Sequence, residues 1–389
     1  MPENPGNDHE LRNKELIAAR TVFDVHVDSL QCALDLGHDL GQRTSSQFDL
    51  VRAASGGLGS VVLVAWCDPV HGAPGGRGFR SRTNDLIDEF HALMARHPDQ
   101  VGWAGNGQEL ARIHTEGRIA AVSGIEGGHS IEDSLEHLAT FFERGVRLMT
   151  LVWNNHLSWI RSCQDGAGPD VPEGISDLGK RIVRRMNELG MLVDLSHAGR
   201  QSFFDVLEVS EKPPIASHSG CYALHDHPRN LDDEQLRELA RVDGVVGMVF
   251  CVPFLDREAR AEDNRLRETQ EYRAIECESP AARFLAQGEF LLENAKPLPI
   301  DRVLDHALHV IEHAGVEHVG IGSDFDGIQR RPIGLEDASC YPHLAAGLRG
   351  RGLSVDEIGL VMGGNMQRAF ATATAAGTRA AEVCSASAD

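Results

Sequence analysis

Eight short apolar runs recur along this chain with longer amphipathic stretches between them, and that alternation restricts the fold more than any other feature. The runs are VFDVH (22–26), LGSVVLVAW (58–66), IAAVSGIE (119–126), VRLMTLVW (146–153), MLVDLSH (191–197), PIASHS (214–219), GVVGMVF (244–250) and VGIGSDFD (319–326). Each has the length expected of a buried strand. Between them, segments such as TNDLIDEFHALMARH, SIEDSLEHLATFFERG and ISDLGKRIVRRMNELG repeat apolar residues at three and four, and several close on Gly as helices do. Strand and helix alternating eight times predicts an α/β fold, a (β/α)8 TIM barrel. At 389 residues one barrel with insertions accommodates the chain, so a single domain over 1–389 is expected, with a frayed tail at 377–389.

Residues able to hold a metal stand at or just past the ends of these runs. His26 and Asp28 follow the first, Glu126 the third, His197 the fifth, His218 the sixth and Asp324 the eighth. Barrel enzymes keep their chemistry at the C-terminal ends of the strands, so residues remote in sequence are expected at one mouth. Any single one of the 19 histidines is more readily a hydrogen-bonded residue than a ligand; the placement of the whole set argues for a site.

Imidazole and carboxylate suit Zn²⁺, and His26-x-Asp28 projects one of each from a single turn of chain. Glu126 sits in the Gly-rich turn IEGGH, where small neighbours allow close approach to an ion, and its two oxygens can bridge two metals. His197 and His218 then serve a second ion, giving a pair about 3.5–4 Å apart, and Asp324 is left for proton transfer. The expectation is a barrel of the metal-dependent hydrolase type.

The remaining composition excludes more than it assigns. Lys and Arg number 37 against 58 Asp and Glu, a formal net charge of −21, which speaks against nucleic acid. Eight cysteines without a C-x-x-C pair read as isolated thiols in a reducing compartment. The N-terminus has no apolar stretch with a cleavage site, and no later segment has eighteen uninterrupted apolar residues, so no membrane partner and a cytoplasmic location are expected. Residues 256–296, charged and helical in pattern, form an insertion after strand seven. It leaves from the C-terminal face, where it is a lid, a dimer contact or a solvated appendage. The Gly-rich loop 68–82 lacks the phosphate-binding pattern G-x-x-x-x-G-K-[ST] and reads as a rim loop. His225 and His227 read as rim or structural residues, and Asp326 as support for the strand-eight turn.

Taken in order, the H-x-D start at His26, IEGGHSI, LGMLVDLSH, PIASHS, RNL (229–231), GSDFDG and GLEDASCYP (334–342) resemble the membrane dipeptidase, or renal dipeptidase, family of zinc peptidases, whose bacterial members are often soluble. The likeness runs from Phe23 to Phe370. It implies an amidohydrolase-like barrel with two Zn²⁺ per chain, one on His26 and Asp28, the other on His197 and His218, with Glu126 bridging. A hydroxide shared by the ions would attack the scissile carbonyl of a small dipeptide, L,L or with a C-terminal D-residue. Asp324 would act as general acid/base and Arg229 would pair with the substrate's C-terminal carboxylate. A homodimer is part of the same implication.

Two departures bear on the substrate. Many members read L-T-H after strand four; here LVWNNH puts Trp153 in that place and His156 three residues later. Either His156 takes over the substrate-binding role or the metals alone stabilise the oxyanion. After H-x-D the usual Pro and Trp are replaced in DSLQC by Leu30, Gln31 and Cys32, which reshapes a side-chain pocket. These departures keep open a binuclear hydrolase acting on a lactone, an N-acyl amino acid or a phosphoester. A non-catalytic metal-binding barrel is the reading outside the enzymes, and the complete ligand set with Asp324 stands against it.

Overall fold

The structure, a computed structural model, describes residues 21–375, and the tail expected at 377–389 lies outside them. Its strands are β1 Val22–Val27, β2 Leu58–Trp66, β3 Val101–Trp103, β4 Ile119–Glu126, β5 Val146–Thr150, β6 Leu192–Asp194, β7 Ile215–Ser219, β8 Val245–Met248 and β9 Val319–Ile321. All pair in parallel in the order β2-β1-β9-β8-β7-β6-β5-β4, and β2 pairs with β4 to close an eight-stranded barrel. The barrel strands correspond one for one to the eight apolar runs. The short β3 pairs with the beginning of β4 outside this ring; three residues, VGW, are too few to show a period.

Several strands are shorter than their runs because the chain leaves the ladder before the run ends. β6 stops at Asp194 and β9 at Ile321. Beyond them His197, Asp324 and Asp326 adopt left-handed backbone at φ 67°, 64° and 66°. Such conformations are uncommon for residues other than Gly, and they cluster where function constrains the chain. The stretch SIEDS also departs from expectation. Glu132 and Asp133 at φ 49° and 59° break it from the helix, which begins at Leu135 with the Ser134 hydroxyl accepting the His137 N–H.

Two seams of the barrel are thin, and a buried aspartate reinforces each. β1 and β9 pair through Asp24 and Ile321, and Asp24 Oδ1 accepts the backbone N–H of His26 (3.2 Å) and of Ser323 (3.0 Å). β6 and β7 pair through Asp194 and Ile215, and Asp194 Oδ1 accepts those of Ser196 (3.0 Å) and Ser217 (2.8 Å). Side-chain oxygens thereby satisfy backbone donors that the ladder leaves behind.

Inside the barrel the lower layers are apolar, with Phe23 and Val25 of β1, Val62 and Val64 of β2, and Val122 of β4. Met366 and Phe370 of the helix Asn365–Thr374 join this cluster, Phe370 meeting Phe23 edge-on at 6.2 Å. Full burial of each such side chain contributes about 1.5–3 kcal/mol. Strict alternation after Phe23 and Val25 would turn His26 away from the interior. Between Asp24 and Val27, however, three steps on β1 match two on β2, a bulge that re-aims His26 towards Glu126.

The insertion is helical, as expected: Arg257–Arg267, Gln270–Arg273 and Pro280–Asn294 follow β8, the seventh barrel strand. Asp256, Thr269 and Ser279 cap the three helices by accepting N–H groups of their first turns. Buried Arg330, beyond β9, donates to Asp263 and to the Lys296 carbonyl, fastening the insertion over the barrel mouth.

Candidate metal centre

Glu126, the last residue of β4, stands at the middle of the mouth with three histidines around it. Its Oε1 lies 2.9 Å from His197 Nε2 and 3.5 Å from His218 Nε2, and its Oε2 lies 3.5 Å from His26 Nε2. His26 Nε2 is also 3.7 Å from Asp28 Oδ2, and the Nε2 atoms of His197 and His218 are 3.1 Å apart. Asp324, whose N–H donates to the His26 carbonyl at 3.0 Å, completes a third group of potential ligands with His26 and His218. The structure therefore gathers all five expected ligands and Asp324 at one place.

The histidines are fixed from behind. Ser217 Oγ donates to Asp194 Oδ2 (2.6 Å), leaving its lone pairs to accept from Nδ1 of His218 (2.8 Å) and Nδ1 of His26 (3.1 Å). Asn154 Oδ1 accepts from His197 Nδ1 at 2.9 Å. With Nδ1 committed to these acceptors, all three rings turn Nε2 towards Glu126 and its surroundings. Asp194, Ser217 and Asn154 had no separate signal in the sequence reading, although each neighbours a motif residue. The Asp in VDLSH and the first Ser in SHS are the trace they leave.

The electrostatics suit a cation. Burial pushes Asp28 well above the ordinary carboxylate range, and the charge of Glu126 adds to this. Burial alone would lower His26, yet Glu126 foremost draws it up to about 10. Burial would raise Glu126, but His26 and His197 hold it well below its usual range. Burial and then Arg229 lower His197 to about 4, and burial lowers His218 as well. Burial followed by Glu126 raises Asp324 to about 7, with His26 and Arg229 opposing. Two neutral imidazoles beside a cluster of carboxylates form a donor set for divalent metal.

Fit to such a metal can be tested on the side chains themselves. His26 Nε2 and both carboxylate oxygens of Asp28 are buried and have no hydrogen-bond partner. Buried polar atoms are almost always paired, so orphans facing one another mark a ligand-binding position. At Gly327 a Cβ would stand 2.3 Å from Asp28 Oδ2 and 2.5 Å from Asp324 Oδ1, so only Gly leaves these carboxylates their space. The residues present fit the group.

A cavity of about 820 Å³ opens over Asp28, Glu126, His197, His218 and Asp324. Trp66 and Trp153 form part of its wall, 5.0 Å apart and edge to face, and Trp153 reaches 6.1 Å from the His197 ring. Phe284 and Leu285 of the insertion also line it, so the insertion is part of the site's enclosure. The Gly-rich loop contributes Val70 and His71 at the rim. A second cavity of about 780 Å³ meets the first at His197 and contains Arg229.

Arg229 is buried, donates through Nη2 to the His218 carbonyl (3.0 Å) and lies over Phe254 at 5.4 Å. Its Nε has no partner, and among the described residues no carboxylate pairs with it. His156 lines neither cavity: Nδ1 accepts from Ser162 (3.2 Å from N) and Nε2 faces the Asp165 carbonyl (3.3 Å). Asp326 accepts from Ser29 Oγ and the Gln47 N–H, holding the turn after β9 as expected.

Barrel, convergent ligands and enclosed cavity together define a metal-dependent hydrolase. The family described as membrane dipeptidase, peptidase family M19, matches residues 10–383, and the chain belongs to that family. It is a metallo-dipeptidase by class and takes a metal cofactor. Dipeptidase tcpJ of Claviceps purpurea is 30% identical over 359 residues, covering 90% of this chain and 73% of that protein. Dipeptidase verJ of Clonostachys rogersoniana is 34% identical over 286 residues, 74% of this chain and 63% of that one. An uncharacterized dipeptidase of Schizosaccharomyces pombe is 36% identical over 75% of this chain and 62% of its own length.

Among solved structures, the probable dipeptidase PvdM from Pseudomonas aeruginosa superposes with a TM-score of 0.81 at 26% identity, covering 95% of this chain and all of that one. A metallo peptidase from Rhodobacter sphaeroides, liganded with a phosphinate mimic of L-Ala-D-Ala, shares the fold at TM-score 0.74, 23% identity, 90% of this chain and 99% of that one. No helix among the described residues is long and apolar enough to cross a membrane.

Proposed function

We propose that this chain hydrolyses small dipeptides at a two-zinc centre, with His26 and Asp28 holding one ion, His197 and His218 the other, and Glu126 shared. The observation that carries the reading is the convergence of five buried ligand-type side chains, with His26, His197 and His218 around Glu126 and Asp28 beside His26, and with orphaned polar atoms at His26 and Asp28. Bound divalent ions supply an activated water at neutral pH and polarise a carbonyl oxygen.

The polypeptide does the rest. Asp324, buried beside Asp28 and His26 at the mouth, is placed to take a proton at its carboxylate and return it to the leaving amine. Arg229, buried without a carboxylate partner, anchors the substrate's C-terminal carboxylate. That anchor selects dipeptides over longer chains. The Trp66–Trp153 wall favours an apolar side chain and excludes water around it. His156 is turned into its own loop, and Asn154 beside Trp153 holds His197 through Nδ1, so any polarisation of the substrate carbonyl would come from the bound ions. A single catalytic domain, L,D as well as L,L substrates, a homodimer and a cytoplasmic site of action belong to the same proposal.

The test is a mass-spectrometric panel of L,L- and L,D-dipeptides with zinc-loaded protein, Trp153→Ala and a chelated control. The proposal predicts cleavage only with metal, preference for apolar side chains, and a loss of roughly tenfold in that preference on truncating Trp153. No cleavage of any dipeptide by metal-loaded protein, with turnover of a lactone, N-acyl amino acid or phosphoester, overturns it.

A further inference from the structure

Away from the mouth, one other set of metal-ligating side chains converges among the described residues. His309 and His313 lie one turn apart on the helix Asp301–Ala314, with ring centroids 4.3 Å apart. Asp233, in the first turn of the helix Asp233–Arg241, reaches both: Oδ1 is 2.8 Å from His309 Nε2 and Oδ2 is 3.8 Å from His313 Nε2. One ligand atom from each of the three lies within 4.8 Å of the others. We propose that Asp233, His309 and His313 form a separate surface site for a late first-row divalent cation, Zn²⁺ foremost.

The donor chemistry selects the ion. Histidines at i and i+4 share one face of a helix and bind one metal from it. Two imidazoles with one carboxylate suit Zn²⁺, Ni²⁺ or Cu²⁺, whereas Mg²⁺ and Ca²⁺ prefer all-oxygen sets. Asp233 Oδ1 already meets His309 Nε2 at 2.8 Å, so carboxylate and imidazole are aimed at one position. The side chains are 14%, 21% and 34% exposed for His309, His313 and Asp233, which leaves room for water to complete the coordination.

The helices joined are the one after β7 and the one before β9, so a bound ion cross-links two neighbouring segments of the outer layer. Arg237 opposes the ion: its Nη2 lies 3.1 Å from His313 Nδ1 and 3.9 Å from Asp233 Oδ2. It is more than half exposed, and swinging into solvent frees the site.

The experiment is calorimetric titration of the metal-loaded full chain with Zn²⁺, beside His309→Gln, His313→Gln, Asp233→Asn and Arg237→Ala. The expected result is one further equivalent per chain, bound at least tenfold more weakly after either histidine substitution or Asp233→Asn, and more tightly in Arg237→Ala. Dipeptidase activity and barrel metal content should stay at the level of the unaltered protein in all four, which shows that each variant is folded. Asp233→Asn preserves shape and one hydrogen-bond acceptor, so it reports on the site even where a histidine variant misfolds. Identical Zn²⁺ stoichiometry and affinity in the unaltered protein, both histidine variants and Asp233→Asn overturn the proposal.

Discussion

At the scale of single residues, the side chains that converge at the mouth were legible because they are chemically distinctive and stand at strand ends. Their supports were not, since Asp194, Ser217 and Asn154 are defined by what they touch. The division predicts different behaviour. Glu126→Gln removes the charge that His26, His197 and His218 share, and is expected to lose metal. Asp324→Asn is expected to keep metal while turnover falls about 10²–10⁴-fold. Metal content and kcat measured on both variants check this; equal metal loss in the two contradicts the roles assigned. Ser217→Ala takes away the single oxygen that receives Nδ1 of both His26 and His218. Metal affinity by chelator competition should drop about 10–100-fold, the usual effect of losing such support, with little change in the fold. An unchanged affinity would mean that the rings are held by packing alone.

Among elements, the strands were visible as apolar runs, but their ends were not, because the site is built where the run leaves the ladder. The β1 bulge that redirects His26 has no sequence signature, and the reader of VFDVH by alternation alone points the ring the wrong way. Helix docking carries a pH dependence of its own. His306 on the helix Asp301–Ala314 is buried and neutral, Nδ1 accepting the Cys221 N–H (2.8 Å) and Nε2 donating to the Leu255 carbonyl (3.1 Å). Burial foremost lowers it from 6.5 to about 4. Its folded value lies below its unfolded one, so its stabilisation is present above pH 6.5 and is lost as pH falls from 6.5 towards 4. The loss amounts to about 3 kcal/mol at most. Urea unfolding across that interval should show the slope, and His306→Gln should lessen it, with the other buried histidines of lowered pKa supplying the remainder; an unaltered slope in the variant rules His306 out as a source.

The whole molecule joins a fold that the sequence shows by repetition to a site that it shows by placement. The eight runs became the eight barrel strands, and the helical insertion appeared where its charged pattern lay. What escaped was local: the added strand β3, the break at Glu132 and Asp133, and the retreat of His156 into its loop. None of these is set by periodicity: β3 and the break at Glu132 and Asp133 follow from contacts between separate segments, and His156 from hydrogen bonds within its own loop to Ser162 and Asp165. The enclosure of the mouth by the insertion likewise rests on Arg330 reaching Asp263, 67 residues away.

The central claim, that hydrolysis depends on ions held at Glu126, is tested most directly by one titration. Zn²⁺ is added back to chelated protein carrying His309→Gln and His313→Gln, with turnover of a cleavable dipeptide and bound metal measured at each step. Turnover should rise from zero and saturate at two equivalents per chain, and Glu126→Gln in the same background should stay silent throughout. Full turnover in the metal-free protein, or undiminished metal binding and activity with Glu126→Gln, would contradict the account.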